Sequence, residues 1–389
     1  MYQRPDYGSA RRDAGFTWRV GSSQGALMEV TGTPIREFNL IPEACIRAYR
    51  KGRPMIREMF GEDVSPPPLS TPAISYGHAN GLGSELLFPE GGEVGHTHVY
   101  ASLDDGLRAL REPVDFATAG MAPFYLDFRR RMQEAFPDEP VGFGLGLEGP
   151  ITTAYEVRGE AFFTDIFDNP RLARKFLRVL VHSILQFHRF VCRVCDRPVV
   201  NSTGAGMCDD LASFIPDRLW PELVLPAWEQ YYSGVTTGAR SAHVEALRAQ
   251  QLPYLEDIGL SHYDPSISPK LNPRIIATRC RVPFVWRLGC FHYREMTCQD
   301  VEDFVFKSAA DGASGVVTYV SPILCNEDGV AKVHAFIRAA REAKRMLDGG
   351  CTREQIAQCV SPRGREGLWE RWCGYEGAAA ARESAVGST

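Results

Sequence analysis

From Pro140 to Leu347 the chain alternates short apolar runs with longer segments whose apolar residues recur every three or four positions. A strand-length run followed by a helix-length one, repeated, is the pattern of βαβ units. A parallel neighbour can be reached only by a crossover long enough to hold a helix, so the pattern implies a parallel sheet. VGFGLGLEGPI (141–151) reads as a strand and turn. The helix after it is capped by Asn169-Pro170 and places Leu172, Phe176, Leu180, Ile184, Phe187 and Val191 on one face. Strands are then predicted over 198–204, 240–246, 260–265, 282–289 and 315–323, with helices near 217–233, 251–258, 273–279, 299–311 and 329–347. Five or six consecutive units favour an α/β fold of the closed (β/α)8 TIM-barrel type with an N-terminal helical extension, the missing strands lying before residue 140. An open doubly wound sheet is the alternative.

The flanks are less regular. Residues 1–34 are polar and glycine-rich and read as an arm or cap. The barrel is expected over 35–348, entered through a helical region at 35–60 that is interrupted near Pro42 and Pro54. Residues 349–389 hold one helix and a small-residue tail, GAAAARESAVGST.

Composition narrows the function. There is no apolar run of about twenty residues to span a bilayer, and the N-terminus MYQRPDYGSARRDAG lacks a hydrophobic leader, so a cytoplasmic, soluble chain is expected. The net charge is −5, and Lys and Arg are scattered along the sequence, which argues against a nucleic-acid partner and for a small-molecule substrate. The 11 cysteines, odd in number and irregular in spacing, fit reduced thiols. Cys192 and Cys195 end a long helix without a second CxxC and read as structural. Gly142-Phe143-Gly144-Leu145-Gly146 lacks the Walker lysine and reads as a place of close backbone packing.

Several motifs carry a family resemblance. Gly149-Pro150-Ile151-Thr152 with Arg158-Gly159, then Asp165 and Asp168-Asn169-Pro170, and later Asp209-Asp210 followed by Ser213-Phe214-Ile215-Pro216, are spaced along one stretch. Over about residues 70–345 the chain resembles the superfamily of uroporphyrinogen decarboxylases and cobalamin-linked methyltransferases. The decarboxylases' N-terminal arginine-rich motif is not found here. Arg47, Arg50 and Arg53 lie on an amphipathic helix and read as its solvated face. The resemblance therefore points to the methyltransferase branch, where a His-x-Cys pair and a later Cys hold zinc. The corresponding residues here are His243, Glu245 in place of the first cysteine, and Cys325.

On a strand, residues i and i+2 share a side, so His243 and Glu245 can face the same way, and ligands from several strand ends converge at the C-terminal face of a barrel. Three ligands and one open position are the arrangement of catalytic Zn2+, which would act as a Lewis acid on a substrate heteroatom. Asp264, Cys290 and Cys325 form a second candidate set. Glu148, Asp209 and Arg287 are candidate catalytic groups. Tyr76, Asn80, Asn201, Tyr263 and Trp286 are candidate substrate contacts, and His96 and His98 a weak metal pair. The chain has no Asp-x-His-x-x-Gly cobalamin motif, so a corrinoid would come free or on a partner protein; a homodimer stays open. The expected activity moves a methyl group between a small methylated substrate, such as a methyl ether, and that corrinoid. A metal-independent decarboxylase of uroporphyrinogen or a related polycarboxylate, and a non-catalytic carrier, are the competing readings.

Overall fold

Parallel strand pairing organises residues 2–370, the part of the chain that this computed structural model describes. The strands are β1 (Thr17–Ser22), β2 (Val64–Ser65), β3 (Leu86–Leu87), β4 (Gly95–His96), β5 (Gly204–Cys208), β6 (Ala239–His243), β7 (His262–Asp264), β8 (Val285–Leu288) and β9 (Gly315–Val320). The helices used below are α1 (Pro42–Phe60), α2 (Ala122–Ala135), α3 (Pro150–Arg158), α4 (Pro170–Val194), α5 (Trp220–Val235), α6 (Cys298–Ala310) and α7 (Glu327–Asp348). The fold is mixed α/β with small parallel sheets. It divides into two compact units, one of Met1–Gln3, Leu27–Arg53 and Pro68–Arg240, the other of Arg4–Ala26, Pro54–Pro67 and Ser241–Thr389.

In the second unit a four-stranded sheet runs in the order β2-β1-β9-β8. β9 is its most apolar strand, with Val316, Val317 and Val320 buried. β1 pairs with it in parallel from Thr17 opposite Gly315 to Ser22 opposite Val320. Residues 17–22, expected in a peripheral arm, are thus a central strand. The reason is long-range: TWRVGS has little alternation of its own and is held by a partner some three hundred residues away. Beyond β8, a bridge between Tyr263 and Phe284 leads to β7, which pairs with the last three residues of β6. Helices α6 and α7 follow β8 and β9 in sequence, as the alternation predicts, and each caps its N-terminus with a side chain, Thr297 or Asn326.

In the first unit two extended segments, 69–74 and 141–148, pair in parallel through Ser70 with Gly142 and Ile74 with Leu145. Gly142 N donates to Leu69 O at 2.8 Å and Ile74 N to Gly144 O at 2.9 Å. The glycines of VGFGLG serve this approach, since a Cβ on Gly144 would collide with the backbone oxygens of Thr71 and Pro72. Asn169 caps α4 by accepting from Leu172 N, and the helix buries Phe176, Leu180, Ile184 and Phe187 as its periodicity predicts, while Leu172 and Val191 near its two ends stay half-buried and Phe190 is buried instead. A short antiparallel hairpin, β3 with β4, lies in the same unit.

Two local expectations are corrected. The strand predicted over 198–204 begins only at Gly204, because Asn201 Oδ1 accepts from both Thr203 N and Thr203 Oγ1 and closes a turn there. Pro42 does start a helix, but Pro54 does not interrupt it: α1 runs through, its apolar face buried at Ala44, Cys45, Ala48, Tyr49, Ile56 and Phe60. That burial outweighs the roughly 3 kcal/mol cost of an internal proline. Helices at Arg353–Ala357 and Pro362–Arg365 follow α7, while the tail GAAAARESAVGST lies outside the described residues.

Replacing Gly144 by Ala is expected to destabilise the protein by about 3 kcal/mol, because the new methyl meets backbone rather than a side chain that can move. A urea midpoint unchanged from wild type would show that the two segments do not pack this closely.

Candidate active site

Glu148 ends the 141–148 segment, where a strand's terminal residues line pockets in α/β folds. Burial, opposed by hydrogen bonds from Cys208 and Ser75 and reinforced by the charges of Asp210 and Asp209, lifts its carboxyl from 4.5 to about 7. Its Oε2 has no hydrogen-bond partner. A carboxyl with these properties can give or take a proton near neutral pH.

Two further acids surround it. Glu156, one turn from the end of α3, is 1% exposed, and neither of its oxygens has a hydrogen-bond partner. Burial and the charges of Glu148 and Asp209 raise its carboxyl well above the usual range. Asp209 is fully buried and accepts from Ile151 N, Thr152 N and Trp228 Nε1, the last at 2.6 Å. Burial raises it to about 6 although these donors favour its charged form. Asp209 therefore fastens the N-terminus of α3 to α5. At the end of β5, Cys208 Sγ lies 3.7 Å from Asp210 Oδ2.

An aromatic wall stands on the same unit. Tyr76 and His96 have ring centroids 4.2 Å apart, His96 and His98 5.5 Å, and His98 and Tyr155 5.3 Å. The Tyr76 hydroxyl is raised by burial and by the charges of Glu156, Glu148 and Glu93, which ties Tyr76 to the acids. The two histidines are ring neighbours in this wall, and His98 Nδ1 is engaged by the Glu156 carbonyl at 3.0 Å.

The second unit carries a different network. His243, at the end of β6, and Glu245 just beyond it alternate with the buried Ala242 and Val244 and so share a side, as the strand spacing predicts. His243 Nδ1 lies 2.9 Å from Asp264 Oδ2 on β7, and Nε2 lies 3.9 Å from Glu245 Oε1. Asp264 also takes Arg287 Nη2 from β8 at 2.8 Å. Burial alone would raise Asp264, but the hydrogen bond from His243 and the charge of Arg287 overcome it and hold the carboxyl at about 2. An ionised Asp264 can only accept, so Nδ1 carries a proton, and in the neutral form of the ring the lone pair is then on Nε2. Ser266 closes the network by donating to Glu245 Oε1 at 2.6 Å and accepting from Arg287 Nη1 at 3.0 Å. Ala246 and Ser266, each just past a strand end, hold positive φ of 54° and 45°. Non-glycine residues adopt that conformation only when their surroundings impose it, and such strain gathers at functional loops.

The remaining expected residues fall elsewhere. Tyr263 and Trp286 alternate with Asp264 and Arg287 and point the opposite way into packing. Tyr263 is fully buried and donates to Val244 O, and Trp286 packs against Trp369. Asn80 spends its amide on Ser84 O and Met121 N. Asn201 closes the turn before β5, at the start of that strand and not at its end. Cys325 follows the turn Pro322–Leu324, its sulfur 3.7 Å from Ser321 O. Among the described residues neither His243, Glu245 and Cys325 nor Asp264, Cys290 and Cys325 brings its donor atoms within 4.8 Å of one another. Cys192 is buried beside His188, as a structural cysteine. Sequence reasoning missed Glu156 and Trp228, because a glutamate and a tryptophan inside amphipathic helices carry no motif.

No protein-family model matches this chain, and no curated protein matches it. Among solved structures it is similar to a methyltransferase from Methanosarcina mazei, with a TM-score of 0.59 and 16% identity over 86% of this chain and 96% of that one. At that identity the likeness speaks for the fold. Among the described residues no helix is long and apolar enough to cross a membrane.

The buried acids set a pH dependence. A carboxyl whose folded pKa is raised binds more protons folded than unfolded, so its contribution is intact below about 4.5 and is lost as pH rises towards the folded value. For Glu148, moving from 4.5 to about 7, the linked loss is roughly 3 kcal/mol. Thermal melts should show stability falling from pH 5 to pH 8, and Glu156→Gln should flatten that slope and raise the melting temperature at pH 8. A variant whose slope equals that of wild type would mean that Glu156 is not a buried neutral acid.

Proposed function

We propose that the chain is a zinc-dependent methyltransferase of the corrinoid-linked branch of the uroporphyrinogen decarboxylase superfamily, with the (β/α)8 barrel of that group. The observation that carries the reading is the His243–Asp264–Arg287 chain. A metal-binding histidine commonly gives its other ring N–H to a carboxylate, which fixes the tautomer and makes the remaining nitrogen a better donor. Here Asp264 does this for His243, and Glu245 Oε1 stands 3.9 Å from Nε2, a separation that two ligands of one ion can span. The likeness in fold to a methyltransferase supports the same reading.

His243 and Glu245 would hold the zinc, with Cys325, the third donor that the resemblance implies, as the candidate for completing the set. Bound there, zinc supplies Lewis-acid polarisation of a substrate heteroatom. Glu148, poised near neutrality by its burial, exchanges the proton that the departing or accepting heteroatom needs. Tyr76 and the rings beside it offer an apolar wall to a methylated substrate. With no cobalamin motif in the sequence, the methyl group's partner is a corrinoid supplied free or by another protein.

The decarboxylase reading needs free cations for substrate carboxylates, and two of the three candidates, Arg50 and Arg53, are engaged. Arg53 pairs with Glu139 at 2.7 Å, and Arg50 donates to Ala135 O while covering the Phe136 ring.

Metal analysis of the purified chain is expected to give about one zinc per molecule. His243→Ala should remove it, and Asp264→Asn should weaken retention about 10- to 100-fold. Cys325→Ser, measured beside it, tests the completing donor. Full zinc in His243→Ala would overturn the site.

Methyl transfer is read separately. With a Co(I) corrinoid and a panel of methyl ethers, amines and thioethers, conversion to methyl-Co(III) is expected for one class, and Glu148→Gln should slow it about 100-fold without loss of zinc. Consumption of uroporphyrinogen by a metal-free preparation would establish the decarboxylase instead.

A further inference from the structure

Helix α4 carries Arg171, Arg174, Lys175, Arg178, Arg189 and Arg193 and no acidic residue. At 100° per residue all six, with His182, fall on one side of the helix, and every one is exposed. The cations that look scattered in the sequence are a stripe, about 33 Å long from Arg171 to Arg193 at 1.5 Å per residue.

Such a stripe opposes folding. Arg171 with Lys175, Arg174 with Arg178, and Arg189 with Arg193 are like charges at i, i+4, each destabilising by a few tenths of a kcal/mol. Other surface helices relieve their charges internally. On α2, Arg130 and Arg131 pair with Asp127 and Glu134, and on α7, Lys332, Lys344 and Arg345 pair with Asp328, Asp348 and Glu342. On α4, among the described residues, only Arg174 has an ion-pair partner, Glu222 at 3.2 Å.

The cation-dense half of the stripe also borders a cleft of about 610 Å³, whose other wall is Pro221, Glu222, Pro226 and Gln230 at the start of α5. Because α4 returns the chain from Glu148 to the beginning of β5, this half lies at the end of the unit where the strands terminate.

We propose that this face of α4 is the docking surface for the acidic face of a partner protein. Its length suits a macromolecule better than a small anion, and none of its exposed residues is an aromatic ring on which the bases of a single strand could stack. That the partner is the protein carrying the corrinoid rests on the methyl-transfer reading; the surface itself does not.

The test uses the full chain, with no zinc, substrate or corrinoid, so that its failure and the failure of the methyltransferase reading are distinguishable. Poly-L-glutamate is the probe, followed by calorimetry at low and moderate salt. Wild type is expected to bind with an affinity that falls steeply as salt rises. The triple variant Arg171→Gln, Lys175→Gln, Arg178→Gln should bind at least ten-fold more weakly while melting at the same or a higher temperature, since repulsion is relieved. The control Arg130→Gln, Arg131→Gln should bind as wild type does. Equal binding by the triple variant would overturn the proposal. So would tighter binding of duplex DNA than of polyglutamate, or stoichiometric binding of inorganic tripolyphosphate that displaces the peptide.

Discussion

A buried carboxylate, Asp209, ties the first unit together. It receives the first backbone N–H groups of α3 and the indole N–H of Trp228 on α5. A helix N-terminus presents unpaired donors and a positive partial charge, so an anion placed against it is stabilised where an isolated buried anion would not be. The neighbouring sequence is shaped by this contact. Gly149 lacks a side chain because a Cβ there would strike Asp209, and Pro150 occupies the first helical position, where no N–H is needed. Fixing α3 in this way fixes Glu156 on it and Glu148 before it, and with them the acidic character of the site.

The acids illustrate how burial creates reactivity. Charges at Glu148, Glu156 and Asp209 disfavour one another, and desolvation disfavours each alone, so the group as a whole holds protons near neutral pH. In the second unit the same forces give the opposite result. Asp264 is also buried, but a cation and an imidazole N–H meet it directly, and it stays ionised. One environment makes proton carriers and the other makes a fixed acceptor that orients a histidine. The two strained residues that follow the strand ends, Ala246 and Ser266, set the turns that aim Glu245 and Asp264.

Much of this was legible in the sequence. Period-two spacing placed His243 with Glu245, and its complement placed Tyr263 and Trp286 on the other side from Asp264 and Arg287. Nothing local foretells where the Cys325 sulfur goes; the turn Pro322–Leu324, closed by a backbone bond from Leu324 N to Ser321 O, decides it.

The sequence by itself determined the alternation of strands and helices, the buried face of α4, the close-packed glycines before Glu148 and the side shared by His243 and Glu245. Each of these follows from local periodicity or from the steric demands of one residue type. Only the tertiary structure decided that residues 17–22 form a central strand, that Asp209 caps a helix far from it in sequence, and that Glu156 is a neutral acid. These depend on partners brought together by long-range packing, and neither hydrogen-bond pairing across the fold nor loss of solvent is written in any local run of residues.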